Sequence, residues 1–286
     1  MANLRDIRRR IKSVKNTAQI TRAMQLVAAA KMKKAQDQAM AGRDYSAQLN
    51  AVLSDISAGE SEEASHPLLE VREGNRELVL VISTDKGLCG PLNTNLAKKL
   101  RASTSDTADY VTVGRKLRVM LEKLQKNILA DFSVKDPVPF AEARAIAAFL
   151  TKQFKDGNYD KVSIVHMRFI NTLTQIPEMV TLLPVQPPTA SDDEGSIPGS
   201  SADHLFEPST ADVLASILPL YINFQVYQAL LEARATEHSA RMVAMKAATD
   251  NAKKFIKELT LEYNKLRQGA ITAELLEITT AMKAME

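Results

Sequence analysis

Both ends of this 286-residue chain are poor in the two residues that break helices. The first glycine is Gly42 and the first proline is Pro67, whereas no proline follows Pro219 and no glycine lies between Gly199 and Gly269. Because glycine and proline interrupt helices, each end is free to form a long helix. The sequence therefore predicts two long terminal helices, with the helix breakers collected in a different kind of domain between them.

Each of these ends carries apolar and small residues at alternating steps of three and four. The N-terminal series is Leu4, Ile7, Ile11, Val14, Ala18, Thr21, Gln25, Ala28, Met32, Ala35 and Ala39, and the C-terminal series is Met242, Met245, Thr249, Ala252, Ile256, Leu259, Tyr263 and Leu266. Such a repeat forms one seam along a helix and is typical of a left-handed coiled coil. A helix over residues 220–286 would be roughly 100 Å long, so we expect the two ends to pair antiparallel.

The middle of the chain alternates strand and helix patterns. We predict strands at Glu77–Ser83, Asp109–Gly114, Asp160–Met167 and Met179–Pro184, with helices around Leu92–Arg101, Arg115–Lys126 and Phe140–Phe154. Alternation of this kind indicates an α/β fold with a small Rossmann-like, mostly parallel sheet. The predicted domains are an N-terminal shaft helix over 1–57, the α/β domain over 75–185, a flexible polar linker over 186–208 and a C-terminal shaft helix over 209–286.

Charge is distributed unevenly. Residues 1–43 hold eleven basic residues against two acidic ones, a net charge of +9, while residues 190–212 hold six acidic residues and no basic one. A segment that basic favours an acidic protein partner or a nucleic acid.

The single cysteine excludes an internal disulfide and favours a reducing compartment. We also expect no membrane-spanning segment, because no uninterrupted apolar run reaches ~18 residues.

Two segments invite a functional interpretation. Ser83–Asn93 (STDKGLCGPLN) is a glycine-rich loop between a strand and a helix, but it lacks the spacing of the known phosphate-binding motifs, and no histidine lies near Cys89 in sequence. We interpret it as a tight turn.

Ala23–Ala30 is apolar or small on every side of its helix except at Gln25, which indicates that more than one surface surrounds it.

Three blocks together resemble the gamma subunit of F-type ATP synthases, the central rotor shaft, in its bacterial form. They are RDIRRRIKSVKNTAQITRAMQLVAAAKMKKA, ISTDKGLCGPLN and SARMVAMKAATDNA…LTLEYNKLRQGAITAELLEI, in the family's order and spacing. The resemblance covers nearly the whole chain. The chain departs from the family at Thr279–Met285, where a Gly-Ala-rich end is usual.

The resemblance implies that the paired helices turn inside a hexamer of alpha and beta subunits and couple proton or sodium flow to ATP synthesis. The α/β domain would lie beside the epsilon subunit and the membrane c-ring, on the cytoplasmic face of the bacterial inner membrane, without inserting into it. No catalytic site, cofactor, metal or nucleic acid is expected. The implied hexamer contacts are Met24, Lys31, Lys33, Lys34, Cys89, Lys98, Arg101, Arg241, Arg267 and Gln268.

Two other functions fit parts of the pattern. A Rossmann-like nucleotide-binding enzyme with coiled-coil extensions would bind a ligand as an isolated chain. A basic coiled-coil protein that binds nucleic acid would show strongly salt-dependent affinity, although the basic segment has no aromatic residues on which bases could stack.

Overall fold

The computed structural model describes residues 4–42, 45, 48–53, 66–105, 107–186 and 210–285. The long terminal helices are α1 (Leu4–Ala41) and α5 (Thr210–Ala284), of 38 and 75 residues. Between them lie β1 (Glu77–Ile82), α2 (Leu92–Ser103), β2 (Asp109–Val113), α3 (Arg115–Lys123), β3 (Ile128–Phe132), α4 (Phe140–Lys155), β4 (Lys161–Phe169) and β5 (Gln175–Leu183). The predicted linker falls, apart from Gln186, outside the described residues.

The five strands form one sheet in the order β3-β2-β1-β4-β5. The first four are parallel, and β5 returns antiparallel to β4 as a hairpin. The predicted α/β class with a mostly parallel sheet is thus confirmed, as are the four predicted strands. The sequence analysis missed β3, because this short edge strand alternates half-buried and exposed residues instead of forming a continuous apolar run.

Helices cover both faces of the sheet. Leu78, Leu80 and Ile82 of β1 enter one core with α4 and the first part of α5, whereas Val79 and Val81 enter a second core with α2 and α3. Because successive strand residues point to opposite faces, a strand covered on both sides must be apolar throughout. This explains why the residues of β1 that follow Glu77 are all apolar.

The chain divides into two compact units. Unit 1 comprises Met1–Ala29 and Arg241–Glu286, and unit 2 comprises Ala30–Ala240. Each terminal helix therefore contributes residues to both units, and unit 2 holds the sheet together with residues 30–41 of α1 and residues 210–240 of α5.

In unit 1 the two helices pack along the predicted seam. The hydroxyls of Thr21 and Thr249 lie 2.7 Å apart across it. An antiparallel register extended from this contact places Ile11 opposite Leu259 and Ala28 opposite Met242. Every other predicted seam position of unit 1 likewise meets a predicted seam position of the other helix, and the buried members are Ile7, Thr21, Ala28, Met245, Thr249 and Leu259. The paired coiled-coil helices are therefore confirmed, and the polar Thr21–Thr249 contact fixes their register.

The first part of α5 is more apolar than the sequence analysis allowed. Within Asp212–Ala284 an 18-residue window is long and apolar enough, by length and composition alone, to cross a membrane. Residues Leu214, Leu218, Ile222, Val226 and Leu230 of this helix are buried in the core of unit 2. The criterion is met without an uninterrupted apolar run, because a helix that packs against a sheet can be as apolar on average as one that packs against lipid.

Candidate functional site

The face of α1 that points away from the seam in unit 1 is basic. Five exposed cationic side chains lie in the turns that directly follow Asp6, and a sixth lies two turns later: Arg8, Arg9, Arg10, Lys12, Lys15 and Arg22. Asp6 is the single acidic residue in this part of α1. The predicted positive charge of this part of α1 is therefore presented on the surface.

The apolar collar, which we define as residues 23–29 within unit 1, is only partly covered by the seam. Ala28 is 2% exposed, but Leu26 and Val27 are each 57% exposed, and the neighbouring Ile20 is 61% exposed. Met24 is half-buried. Contiguous exposed apolar side chains of this size mark an interaction surface.

The C-terminal part of α5, which we call the tip, consists of residues 265–285 and is exposed at every position. The register explains this exposure, because Leu4, the first described residue of α1, lies opposite Leu266. Arg267 and Gln268 directly follow the end of the seam and are exposed. Large apolar side chains are exposed over the rest of the tip: Ile271, Leu275, Leu276, Ile278, Met282 and Met285.

Met24 and Arg241 are two of the hexamer contacts that the resemblance implies. Both are half-buried. The seam register places Arg241 opposite Ala29, and therefore within about one and a half helical turns of Met24. The two side chains thus belong to the same end of the described coiled coil.

The three predicted lysines of unit 2 differ in their surroundings. Lys31 Nζ lies 2.7 Å from Asp136 Oδ2, and His238 Nε2 lies 3.1 Å from the same oxygen. Burial opposes ionisation of Asp136, but the hydrogen bond from Lys31 and the charges of His238, Lys31 and Arg234 outweigh it and lower the pKa of this carboxyl. Lys33 and Lys34 are exposed.

Beside this contact lies a buried ionic cluster centred on Arg234, which is 8% exposed. Its Nη1 donates to Glu237 Oε2 at 2.8 Å, and its Nη2 donates to the Val134 carbonyl at 2.7 Å and lies 3.4 Å from Asp85 Oδ2. Burial opposes the charge, but the carboxylates of Glu237, Asp85 and Asp136 outweigh it and raise the pKa of the guanidinium. The cluster ties α5 to the loop after β1 and to the loop after β3.

The glycine-rich loop is a tight turn. Leu88 and Gly90 have positive φ angles of 64° and 60°, and Asn93 Nδ2 donates to Thr84 Oγ1 at 2.8 Å, so that the start of α2 is tied to the end of β1. Cys89 is 2% exposed and accepts from Asn93 Nδ2 at 3.4 Å. The thiol itself is therefore within the core, and Leu88, 62% exposed, presents this loop to the surface.

Lys98 and Arg101 follow this loop on α2. They are three residues apart, so they share one face of the helix, and both are exposed. In the part of the chain that the structure describes, no three His, Cys, Asp or Glu side chains are grouped closely enough to hold a metal ion.

Sequence reasoning did not find the Arg234 cluster. Val134 lies 100 residues before Arg234 in the sequence, and Asp85 lies 149 residues before it. The available signal was a charged pair, Arg234 and Glu237, at a spacing of three within a helix whose preceding turns are apolar.

Comparisons with known proteins find matches to ATP synthase proteins along nearly the whole chain. A family model described as ATP synthase matches residues 3–285. The ATP synthase gamma chain of Akkermansia muciniphila is 50% identical over 292 residues and that of Opitutus terrae 51% identical over 296 residues, each covering at least 99% of both chains. The Euglena gracilis mitochondrial ATP synthase (OSCP/F1/c-ring) contains a chain with the same fold, with a TM-score of 0.68, 21% identity and coverage of 99% of this chain and 94% of that chain. The chain belongs to the ATP synthase gamma-chain family.

Proposed function

We propose that this chain is the central shaft of a bacterial F-type ATP synthase, and that unit 1 turns inside the hexamer of alpha and beta subunits. The observation that carries the proposal is the tip of α5, where a single helix exposes six large apolar side chains past the end of its partner. Such a surface is costly in water and calls for a surrounding protein surface.

The proposed contacts with the hexamer are those that the resemblance to the family implies. Arg267 and Gln268 form an upper polar contact, Met24 and Arg241 a mid-shaft contact, and Lys98 and Arg101 a lower contact on α2. The basic face of α1, with Lys33 and Lys34, faces acidic loops of the beta subunits. Attraction between charges is long-ranged and tolerates sliding, as a rotating contact requires.

The mechanism is a coupling free energy with the rotor angle as its variable. The shaft is asymmetric and the hexamer is nearly threefold, so each orientation of the shaft stabilises a different assignment of open and closed beta sites. Proton or sodium flow turns the foot of the rotor, and the coiled helices transmit this rotation to the hexamer. There it changes the affinity of the beta sites for ADP, phosphate and ATP. Nucleotide chemistry belongs to the beta subunits, and this chain has no catalytic site of its own.

Unit 2 is the foot of the rotor in this proposal. It would contact the epsilon subunit and the membrane c-ring on the cytoplasmic face of the inner membrane, without inserting into the bilayer. The solved relatives support such a placement by their descriptions, which name F1 with the c-ring for the Euglena assembly and the central stalk with the c-ring for the Tetrahymena thermophila assembly.

The proposed function is tested by reconstitution. The chain is mixed with alpha and beta subunits of a bacterial ATP synthase, the complex is isolated, and ATP hydrolysis is measured with and without the chain. We expect a stable complex whose ATPase activity depends on this chain. Failure to co-purify, or nucleotide hydrolysis by the isolated chain, would contradict the proposal.

Reversal of the exposed charges at Lys33 and Lys34 is expected to weaken coupling more than assembly. In the variant K33E/K34E we expect a loss on the order of 1–2 kcal/mol of coupling free energy, because two attractions to acidic loops become repulsions. The measurement is ions pumped per ATP hydrolysed in membrane vesicles. Lys31 is left unchanged because it pairs with Asp136.

The matched control for this charge change is K152E/K155E, which reverses two exposed lysines on α4. It should leave the pumping ratio unchanged. An unchanged ratio in K33E/K34E as well would show that electrostatic attraction at this end of the shaft has no part in coupling.

A further inference from the structure

Unit 2 contains a cavity of about 300 Å³ between the β4–β5 hairpin and α5. Its apolar lining includes Ile164, Val180 and Leu182, and its polar lining comes from both the hairpin and α5. The volume is at the lower end of the range for small-molecule sites in proteins. Neither the seam nor the proposed hexamer contacts involve it.

Three buried polar atoms on this cavity have no hydrogen-bond partner among the described residues. They are His166 Nδ1, Asn50 Oδ1 and Gln228 Oε1. His166 is only 5% exposed. Buried polar atoms are nearly always paired, because an unpaired one has lost its hydrogen bonds to water without replacement. Three of them on one cavity make it suited to a polar occupant.

All three atoms are oriented to accept hydrogen bonds. Gln228 Nε2 donates to Glu232 Oε1 at 3.3 Å, which fixes the amide so that Oε1 is the free acceptor. His166 Nε2 lies 3.5 Å from Glu232 Oε2. With the ring proton on Nε2, facing the carboxylate, Nδ1 carries a lone pair. The occupant must therefore supply N–H or O–H donors.

The charge of the cavity favours a cation. Burial opposes ionisation of Glu232, but hydrogen bonds from His166 and Gln228 favour it, and the pKa of this carboxyl is lowered. Arg168 Nη1 lies 3.5 Å from Glu178 Oε1, so these two charges offset each other. With His166 neutral, as its acceptor role requires, Glu232 leaves a net negative charge on the cavity.

We propose that this cavity binds a small organic cation of the alkylamine or guanidine class, whose N–H groups donate to His166, Asn50 and Gln228 and whose charge faces Glu232. An ammonium group offers three donors and a guanidinium five, so either class can satisfy several acceptors at once. The site lies wholly within unit 2 and does not depend on the proposed rotor function.

The test is calorimetric titration of the full-length chain with three four-carbon probes that carry different end groups: putrescine, 1,4-butanediol and succinate. We expect saturable binding of putrescine, at least about tenfold weaker binding of the diol, and no binding of succinate. Absence of saturable putrescine binding would mean that the cavity holds water alone and would overturn the proposal. So would equal binding of putrescine and the diol.

Two further measurements place the bound probe in this cavity. E232Q should weaken putrescine binding about tenfold, because a charge-assisted hydrogen bond becomes a neutral one, whereas E258Q, the same change at an exposed position of α5, should not. In the unmutated chain, putrescine should shift the ¹⁵N resonance of His166 Nδ1, which becomes hydrogen-bonded. An unshifted His166 resonance at saturation would overturn the assignment even if E232Q failed to fold.

Discussion

Replacement of Arg234 by methionine is expected to lower the free energy of unfolding by about 3–5 kcal/mol. Methionine fills a similar volume, so the loss is mainly electrostatic. The change leaves the Glu237 carboxylate, 5% exposed, and the Val134 carbonyl without the guanidinium that now donates to them. A buried charge that loses its partner is among the most destabilising changes a point substitution can make. The measurement is urea unfolding of the isolated chain.

The control is Arg168→Met, the same substitution in an ion pair on the surface. The Arg168 side chain is 58% exposed and lies 3.5 Å from Glu178, so its removal should cost less than about 1 kcal/mol. A double variant, R234M/E237M, should recover part of the loss because it also removes the buried carboxylate whose charge Arg234 offsets. Equal losses in R234M and R168M would show that the buried cluster does not stabilise unit 2.

Replacement of Ala28 by glutamate is expected to separate the two helices of unit 1. Ala28 is 2% exposed and lies opposite Met242 in the seam. A carboxylate at this position is buried against apolar groups, which should cost about 3 kcal/mol or more, and the longer side chain also forces the helices apart. We expect a lower thermal unfolding midpoint and a loss of helix signal at 222 nm in the isolated chain.

The matched control is Ala23→Glu, the same substitution in the same helix at an exposed position. It should change the unfolding midpoint little, because the carboxylate remains in water. A28E that unfolds at the same temperature as A23E would contradict the register in which Ala28 faces α5. In the reconstituted complex, A28E should also uncouple ATP hydrolysis from ion pumping, since two separate helices transmit twist less well than a coiled pair.

The candidate surface could be read in outline from the sequence but not in detail. The basic face of α1 and the apolar residues of the tip follow from composition and helical spacing, because neither needs a partner within the chain. Lys31 shows the limit of this reasoning. It looked equivalent to Lys33 and Lys34, but it pairs with Asp136, which is 105 residues away in sequence and reaches it only through the fold.

By itself, the sequence determined the two terminal helices and their seam, because the absence of breakers and the spacing of apolar residues are local properties that a helix converts directly into a face. Their register was decided by the structure, through the Thr21–Thr249 contact. It also determined the four strands that are apolar for most of their length. Only the tertiary structure decided the edge strand β3, the Arg234 cluster and the cavity beside His166. These depend on which distant segments the topology brings together. Hydrogen bonds and ion pairs between such segments produce no periodic pattern in the sequence.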